Sequence, residues 1–320
     1  MPDIIALGEC MVELYAEAPL PEAAIFHRSF GGDSLNALVA ASRLGSSTGY
    51  ITKVGDDPFA PGLLKGWQLE GVDTSHVRVV PGYNGVYFVS VMPGGQREFT
   101  YYRSGSAAST LTAPDLDPSY IASAKILHVT GVSQAISPSC RVAVLMACQM
   151  AKEAGITVSY DLNLRPALWR SLEEARSALD EITPYLDIVF ASTPEDTMGL
   201  IHLSEPKEVI HHFWDTGAEV VVVKAGGDGC AVGEANSGGL VAIPALPVKV
   251  VDTTGAGDAF NGAFLHGIAT GMDTVSATVL GVVTASLKVR GRGAVASLPY
   301  RDEVYALWQK HLSTARGFFA

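Results

Sequence analysis

The second half of the chain alternates short β-branched runs with stretches of helical composition. In chain order these segments lie at 126–130 (strand), 138–154 (helix), 157–161 (strand), 172–183 (helix), 188–191 (strand) and 220–224 (strand). Such alternation is typical of βαβ units that build a parallel sheet. The run at 220–224 holds four consecutive Val residues, as strands buried on both faces do. The sequence therefore predicts an α/β body.

Beyond the Val run, the composition predicts further short strands and then two helices. The strands are expected at 230–232, 240–243 and 248–250, and the helices at 255–270 and 273–289. Gly271 is placed to end the first helix, and Asp273 is placed to cap the second.

The first hundred residues differ from this pattern, because four segments alternate apolar and polar residues: 12–15, 26–30, 85–91 and 97–102. Alternation indicates a sheet with one face in water or under a removable cover. The stretch Pro93-Gly94-Gly95 predicts a hairpin between the last two segments. We expect one domain over 1–320, with a small sheet inserted within about 10–30 and 83–103. A lid over a cleft and a dimerisation sheet are compatible roles for it.

Composition excludes several classes of protein. The 320 residues carry a net charge of −11 and contain no basic run, which argues against nucleic-acid binding. No stretch approaches the roughly 20 apolar residues of a membrane span, so a cytoplasmic protein is expected. The four Cys form no C-x-x-C pair, and a structural metal or a disulfide scaffold is not expected.

The strongest local signal is the segment 252–260, which reads DTTGAGDAF. A strand is expected to end there in a glycine turn, and a helix to begin. The amides of Gly255, Ala256 and Gly257 would form an anion site backed by the helix dipole. Asp258 in the first helical turn would then lie beside a transferring phosphoryl group and accept a proton from an attacking hydroxyl. Taken alone, the motif also fits an Asp that completes a helix N-terminus.

Three further motifs carry both a functional and a structural interpretation. Lys224-Ala225-Gly226-Gly227-Asp228-Gly229 follows the Val strand and fits either a ligand site or a plain hairpin turn. Gly31-Gly32-Asp33-Ser34-Leu35-Asn36 fits a sugar contact through Asn36, or a helix capped by Asp33 or Ser34. Arg103 and Arg165 each end a strand near the expected cleft, where they would bind a carboxylate or serve as surface residues.

The common nucleotide-binding signatures are missing. No Gly-Lys dipeptide and no G-x-G-x-x-G occurs, which removes a Walker A loop and the standard dinucleotide fingerprint. An NAD-dependent oxidoreductase is therefore disfavoured. A non-catalytic sugar- or nucleotide-binding protein of the same fold would be marked by loss of Asp258 or of its glycines, and both are present.

Together these motifs resemble the ribokinase-like (PfkB) carbohydrate kinases over nearly the whole chain. The resemblance implies a three-layer α/β/α sandwich with a mostly parallel sheet and a small β-sheet lid. Within that family, Gly8-Glu9-Cys10-Met11, Tyr101-Tyr102-Arg103 and Asp161-Leu162-Asn163-Leu164-Arg165-Pro166 look like 2-keto-3-deoxygluconate kinases. Fructokinases and 5-dehydro-2-deoxygluconate kinases share the last pattern and remain alternatives.

The resemblance also implies roles for individual residues. Asp258 would be the base, assisted by the amides at its turn. The sugar acid would be held by Gly32, Asn36, Tyr87, Tyr101, Arg103 and Arg165. The adenine nucleotide would be held by Ser192, Lys224, Gly226, Gly227, Asp228, Gly229, Gly255 and Gly257. Where many members have Asn-x-x-Glu for magnesium, this chain has Ser192-Thr193-Pro194-Glu195, so Mg²⁺ is expected on ATP phosphates and water with Glu195 acting indirectly. A homodimer through the lid is the expected assembly.

Overall fold

The computed structural model of the chain describes residues 1–92 and 96–317. Its strands are β1 (Ile4–Leu7), β2 (Met11–Ala16), β3 (His27–Gly31), β4 (Thr48–Gly55), β5 (Val72–Asp73), β6 (Val77–Val80), β7 (Val86–Val91), β8 (Arg97–Tyr102), β9 (Ile126–Thr130), β10 (Thr157–Asp161), β11 (Ile188–Ser192), β12 (Val220–Lys224), β13 (Cys230–Glu234) and β14 (Gly239–Ile243). Its α-helices are α1 (Asp33–Leu44), α2 (Ala60–Leu69), α3 (Pro118–Ala122), α4 (Gly131–Ala135), α5 (Pro138–Glu153), α6 (Leu172–Ile182), α7 (Thr197–Leu200), α8 (Pro206–Asp215), α9 (Ala256–Ala269), α10 (Thr274–Lys288) and α11 (Arg301–Gly317).

The main sheet has ten strands, in the order β14-β13-β12-β11-β10-β9-β1-β4-β5, with β6 beside β4. Strands β12 to β5 of this order run parallel, and β13 and β14 continue the edge as an antiparallel hairpin. The Val run forms β12, whose central residues are buried on both faces. The predicted parallel sheet is confirmed.

Helices cover both faces of this sheet. Along β1, Ile4 and Ala6 pack into a core with α1, α9 and α10, while Ile5 and Leu7 pack into a second core with α5, α6 and α8. Alternate residues of one strand therefore enter opposite cores, as the pleat requires. The arrangement is the predicted three-layer α/β/α sandwich.

The lid is a separate four-stranded sheet in the order β3-β2-β7-β8. β2 pairs with β7 in parallel, and the other two pairings are antiparallel. The predicted second, small sheet is confirmed. The predicted turn at Pro93-Gly94-Gly95 lies outside the described residues, although β7 and β8 on either side of it pair as expected.

One predicted strand is wrong. The segment 248–250 forms no strand. Directly after it, the chain is held at the end of α10, where the Val251 and Asp252 N–H groups both donate to the carbonyl oxygen of Val289 (2.7 and 3.0 Å). The segment instead borders the cleft described below. The predicted cap is confirmed, since the Asp273 carboxylate accepts from the Ser276 N–H at 2.7 Å. None of the helices described is long and apolar enough to cross a membrane.

Candidate active site

A cleft of about 1530 Å³ separates the carboxyl ends of the parallel strands from the lid. Ligands of open α/β folds bind at this edge of the sheet. Nearly all of the predicted site residues border it, namely Gly32, Asn36, Tyr87, Tyr101, Arg103, Arg165, Ser192, Glu195, Lys224, Gly226, Gly227, Gly229, Gly255, Ala256, Gly257 and Asp258. Asp228, also expected at the nucleotide, is exposed and does not border the cleft.

The turn before α9 is shaped to receive an anion. Gly255 has a φ of +76°, in the left-handed region that favours glycine, and α9 begins at the next residue. The Ala256 N–H is committed within the turn, because it donates to the Thr253 carbonyl oxygen at 3.0 Å. The N–H groups of Gly257 and Asp258 belong to the first turn of α9, where an α-helix offers its amides no internal partner. These amides and the helix dipole favour a phosphate.

The Asp258 carboxylate is held at the start of α9 by a side chain from α1. Its Oδ2 accepts a hydrogen bond from Asn36 Nδ2 at 2.8 Å. Burial, reinforced by the nearby charge of Asp33, raises the pKa of Asp258 to about 7, while the Asn36 hydrogen bond and Lys224 oppose the shift. A carboxyl group that titrates near neutral pH is suited to act as a general base.

The start of α1 differs from the prediction. The helix is capped by Gly32, and neither Asp33 nor Ser34 supplies a side-chain cap. Asp33 Oδ2 instead accepts from Thr130 Oγ1 (2.6 Å) and Asn163 Nδ2 (3.0 Å), donors at the ends of β9 and β10 that turn the carboxylate toward the cleft. A Cβ on Gly32 would come within 2.0 Å of the Glu9 carbonyl oxygen, so only glycine permits this close approach.

Lys224 lies beside the anion-binding turn. Its Nζ donates to Asp161 Oδ2 (3.0 Å) and Asn261 Oδ1 (3.2 Å), and Asn261 Nδ2 donates to the same Asp161 oxygen (2.6 Å). A Cβ built on Gly257 would lie 3.4 Å from the ammonium nitrogen, which places this charge next to the turn. Asn261 was not predicted, although its position three residues after Asp258 on one helix face was a usable signal.

The glycines that follow β12 serve two purposes. Gly229 has a φ of +98°, and a Cβ there would come within 2.1 Å of the Ile243 carbonyl oxygen, so this glycine is needed for the turn itself. Gly226 and Gly227 have open space where a Cβ would stand. Both glycines border the cleft.

Arg103 is already paired within the protein. Its Nη2 lies 2.5 Å from Glu9 Oε2, and Glu9 Oε1 accepts from Ser106 Oγ at 3.0 Å. Burial raises the pKa of Glu9, and the charge of Arg103 opposes that shift. Glu9 sits in the link between β1 and β2, so this ion pair joins the main sheet to the end of β8. Arg103 therefore meets a ligand as half of an ion pair.

Arg165 is exposed to the cleft, and its Nη1 donates to the Leu164 carbonyl oxygen at 2.9 Å. No acidic side chain in the described part of the chain forms an ion pair with it. The charges of Arg165 and Arg103 both act to lower the pKa of Tyr101, although burial raises it overall. Tyr101 stacks on Tyr87, with ring centroids 5.8 Å apart, and the Tyr87 hydroxyl donates to Glu13 Oε2 at 2.5 Å. These residues form the lid side of the cleft.

Asp196 holds the segment Ser192-Thr193-Pro194-Glu195, which stands in place of the Asn-x-x-Glu pattern. Asp196 Oδ1 accepts from the Leu164 N–H (2.8 Å) and Oδ2 from the Ser192 N–H (2.9 Å). Burial and the charge of Asp161 raise the pKa of Asp196. Glu195 is exposed and borders the cleft. Asp196 thus holds the loop, and Glu195 is the carboxylate that it presents.

Comparisons with known proteins agree with this geometry. The pattern of the pfkB family of carbohydrate kinases matches residues 1–301. A 2-dehydro-3-deoxygluconokinase of Thermoproteus tenax is 37% identical, covering 96% of this chain and 94% of the relative. Fructokinase-1 of Zea mays is 35% identical, covering 96% and 98%. A crystal structure from E. coli, described as a ribokinase II in complex with ATP and Mg²⁺, has a TM-score of 0.89 at 27% identity and covers 97% of this chain and 100% of that one.

The fold and the cleft, with its anion-binding turn and adjacent carboxylate, define a sugar kinase. The chain belongs to the pfkB family of carbohydrate kinases. The family resemblance drawn from the sequence is confirmed.

Proposed function

We propose that the protein transfers the γ-phosphoryl group of ATP to the terminal hydroxyl of 2-keto-3-deoxygluconate, giving 2-keto-3-deoxy-6-phosphogluconate and ADP. The main observation that supports this proposal is that Asp258, at the anion-binding turn, shares one cleft with Arg103 and Arg165. The turn and the carboxylate suit phosphoryl transfer, and Arg165, which forms no ion pair with the acidic side chains described, suits an acid sugar. The 37% identity to a 2-dehydro-3-deoxygluconokinase supports this substrate class.

The reaction is a direct displacement at phosphorus. The sugar hydroxyl oxygen attacks the γ-phosphorus, and its new P–O bond forms as the bond to the ADP oxygen breaks. Asp258 accepts the hydroxyl proton, and the first-turn amides of α9 stabilise charge on the γ-phosphoryl oxygens. The lid excludes water, so that the phosphoryl group reaches the sugar rather than being hydrolysed.

ATP is proposed to lie along the carboxyl edge of the sheet, over Gly226 and Gly227, with its phosphates near Lys224. Mg²⁺ fits this arrangement as a hydrated ion. No group of three or more His, Cys, Asp or Glu able to hold a metal occurs within 1–92 and 96–317. Asp161 Oδ1 is buried and has no hydrogen-bond partner among the residues that the structure describes, and Glu195 borders the cleft, so these two carboxylates would hold the ion through water. Bound Mg²⁺ would neutralise phosphate charge.

A neutral ketohexose is the alternative substrate, supported by the 35% identity to a fructokinase. 5-Dehydro-2-deoxygluconate is a third candidate. The test measures ADP formation with ATP, Mg²⁺ and each sugar under identical conditions. We expect the highest kcat/KM with 2-keto-3-deoxygluconate. A higher kcat/KM with fructose would replace the proposed substrate and leave the sugar-kinase assignment intact.

The assembly proposed for this enzyme is a homodimer formed through the outer face of the lid. Phe26 packs edge-on against Phe88 on that face and remains 36% exposed. A second copy would cover these rings. Sedimentation at micromolar concentration tests the proposal, and a monomer would contradict it. A cytoplasmic location stays a prediction from the sequence.

A further inference from the structure

Three buried charged side chains and one partly buried one lie together where the lid meets the anion-binding turn, and the reaction proposed above does not use them. The lid contributes Glu13 from β2 and Arg97 from β8, and the body contributes Asp252 and Lys288. Glu13 and Asp252 are each 3% exposed and Lys288 is 0% exposed. Buried charges are costly unless they are paired in good geometry. The contacts of Asp252 reveal what this pairing holds in place.

Asp252 connects three segments of the chain. Its Oδ1 accepts from the Thr254 N–H at 2.9 Å, which is inside the turn that leads to α9. Its Oδ2 accepts from the Gly293 N–H at 2.8 Å, in the loop after α10. Its Oδ1 also pairs with Arg97 Nη1. The carboxylate therefore fixes the beginning of the anion-binding turn against both the lid and the body.

The two cations hold the backbone on either side of that carboxylate. Arg97 Nη2 donates to the Val251 carbonyl oxygen at 3.1 Å, so its guanidinium grips both Val251 and Asp252. Lys288 Nζ donates to the Asp252 carbonyl oxygen at 3.0 Å. Arg97 comes from the lid, and its side chain is 17% exposed. Of the contacts named here, those of the Arg97 guanidinium are the ones that a lid side chain makes to the turn.

We propose that Arg97 is a positioning residue for phosphoryl transfer: the lid supplies a guanidinium that fixes Asp252, and through it the turn that carries Asp258. The sheet that covers the sugar and the turn that binds the phosphate then act as one unit. A lid that is not seated leaves the turn without its anchor. This inference rests on the proposed function, because it assigns Arg97 to the anion-binding turn of that reaction.

The first test compares Arg97→Ala with the wild type in the ADP-formation assay. We expect kcat to fall about 100-fold, the loss typical of displaced catalytic groups, while the KM for sugar changes less than about threefold. Added guanidinium ion should restore part of the kcat. The matched control is Arg28→Ala, an exposed arginine on β3 of the same sheet, which should keep wild-type kcat. A kcat for Arg97→Ala within about threefold of wild type would overturn the proposal.

The second test keeps the charge and guards against a variant that fails to fold. In Arg97→Lys, one ammonium cannot grip both Val251 and Asp252 as the fork does, and we expect about a tenfold loss of kcat with an unchanged melting temperature. Arg97→Lys, Asp252→Asn and their combination complete a double-mutant cycle. If the two side chains act as one unit, the kcat of the double variant is about equal to the kcat of the less active single variant. Losses that multiply would contradict the coupling.

Asp258→Asn, measured in parallel, separates this inference from the proposed function. A loss of kcat in Asp258→Asn together with wild-type kcat in both Arg97 variants would remove the lid anchor and leave the kinase mechanism in place. Wild-type kcat in Asp258→Asn would remove the mechanism itself. A loss of kcat in both positions, with sugar KM preserved, is the result the proposal requires.

Discussion

The Asn36 side chain donates to the Asp258 carboxylate across 2.8 Å and so joins the first turn of α1 to the first turn of α9. The two residues are 222 positions apart in sequence, and each lies at the cleft end of a helix on the same face of the main sheet. Because the hydrogen bond is made to the ionised carboxyl group, it favours the charged form of the base. Asn36 therefore tunes Asp258 in addition to any contact it makes with sugar.

This pairing predicts the pH dependence of the enzyme. The pKa of Asp258 is raised to about 7, so kcat/KM should rise with pH and level off above neutrality. In Asn36→Ala the charged form loses a donor, so the midpoint of the profile should move to higher pH. The measurement is kcat/KM for sugar between pH 5.5 and pH 9, with each profile scaled to its own plateau. A midpoint that stays in place, or moves down, would contradict the assigned role of Asn36.

The same raised pKa predicts that the folded state loses stability as Asp258 ionises. Between its unfolded value of 3.8 and about 7, Asp258 binds a proton more tightly in the folded state, so stability falls as pH rises through that window. Asp258→Asn should therefore be more stable than wild type at pH 8, by about 2 kcal/mol once partial exposure is allowed for. Urea unfolding at pH 5 and pH 8 measures this. An equal difference at both pH values would argue against a raised pKa.

The two arginines of the cleft should behave differently. Arg165 faces the cleft and forms no ion pair within residues 1–92 and 96–317, so Arg165→Ala should raise the KM for 2-keto-3-deoxygluconate about tenfold and leave the KM for fructose nearly unchanged. Arg170→Ala is the control, since that side chain is 88% exposed. Equal changes for the acid and the neutral sugar would contradict carboxylate recognition by Arg165.

Arg103, by contrast, compensates the buried Glu9. Removing it leaves the Glu9 carboxylate buried without its cation, so Arg103→Ala should lower the melting temperature. It should also weaken the binding of the acid sugar and of the neutral sugar by similar factors. Glu9→Gln should leave Arg103 as an uncompensated cation. It should therefore raise the kcat/KM for the acid sugar relative to the kcat/KM for the neutral sugar. The ratio of the two kcat/KM values reports the effect. No change of that ratio in Glu9→Gln would show that the ion pair does not control the charge of the sugar site.

Lys288 should leave its own signature in stability. Burial lowers its pKa from 10.5 to about 8, so between these values the folded state binds fewer protons than the unfolded state and stability rises with pH. Relative to Lys288→Met, the wild type should gain up to about 2 kcal/mol between pH 7.5 and pH 9.5. Urea unfolding of both proteins at the two pH values provides the comparison. If the difference in unfolding free energy between the two proteins is the same at both pH values, the pKa of Lys288 is not lowered by burial.

Much of this molecule follows from local sequence pattern. The alternation after residue 125 specified the parallel sheet, and the glycine-Asp motif specified the turn at Asp258. Both signals are local, since strand burial and helix capping are decided within a few residues. The apolar and polar alternation of the first hundred residues likewise identified the lid strands, because a sheet with one wet face has a period of two.

Contacts between distant segments were not predictable in the same way. The pairing of Arg103 with Glu9 depends on where the lid joins the main sheet, and nothing near Arg103 in sequence shows its partner. Asp33 had the composition of a helix cap, yet Thr130 and Asn163 offer donors that only the assembled sheet provides. The segment at 248–250 had strand composition, yet it forms no strand and borders the cleft instead. For Arg103 and Asp33, partners more than 30 residues away decided the outcome.

The central claim is that Asp258 accepts the proton of the sugar hydroxyl as ATP transfers its phosphoryl group. The measurement that tests it most directly is kcat for ADP formation with saturating ATP, Mg²⁺ and 2-keto-3-deoxygluconate, for wild type, Asp258→Asn and the control Asp180→Asn on the exposed side of α6. We predict that Asp258→Asn loses about a thousandfold in kcat with little change in sugar KM, and that Asp180→Asn matches wild type. A kcat for Asp258→Asn near the wild-type value would contradict the account.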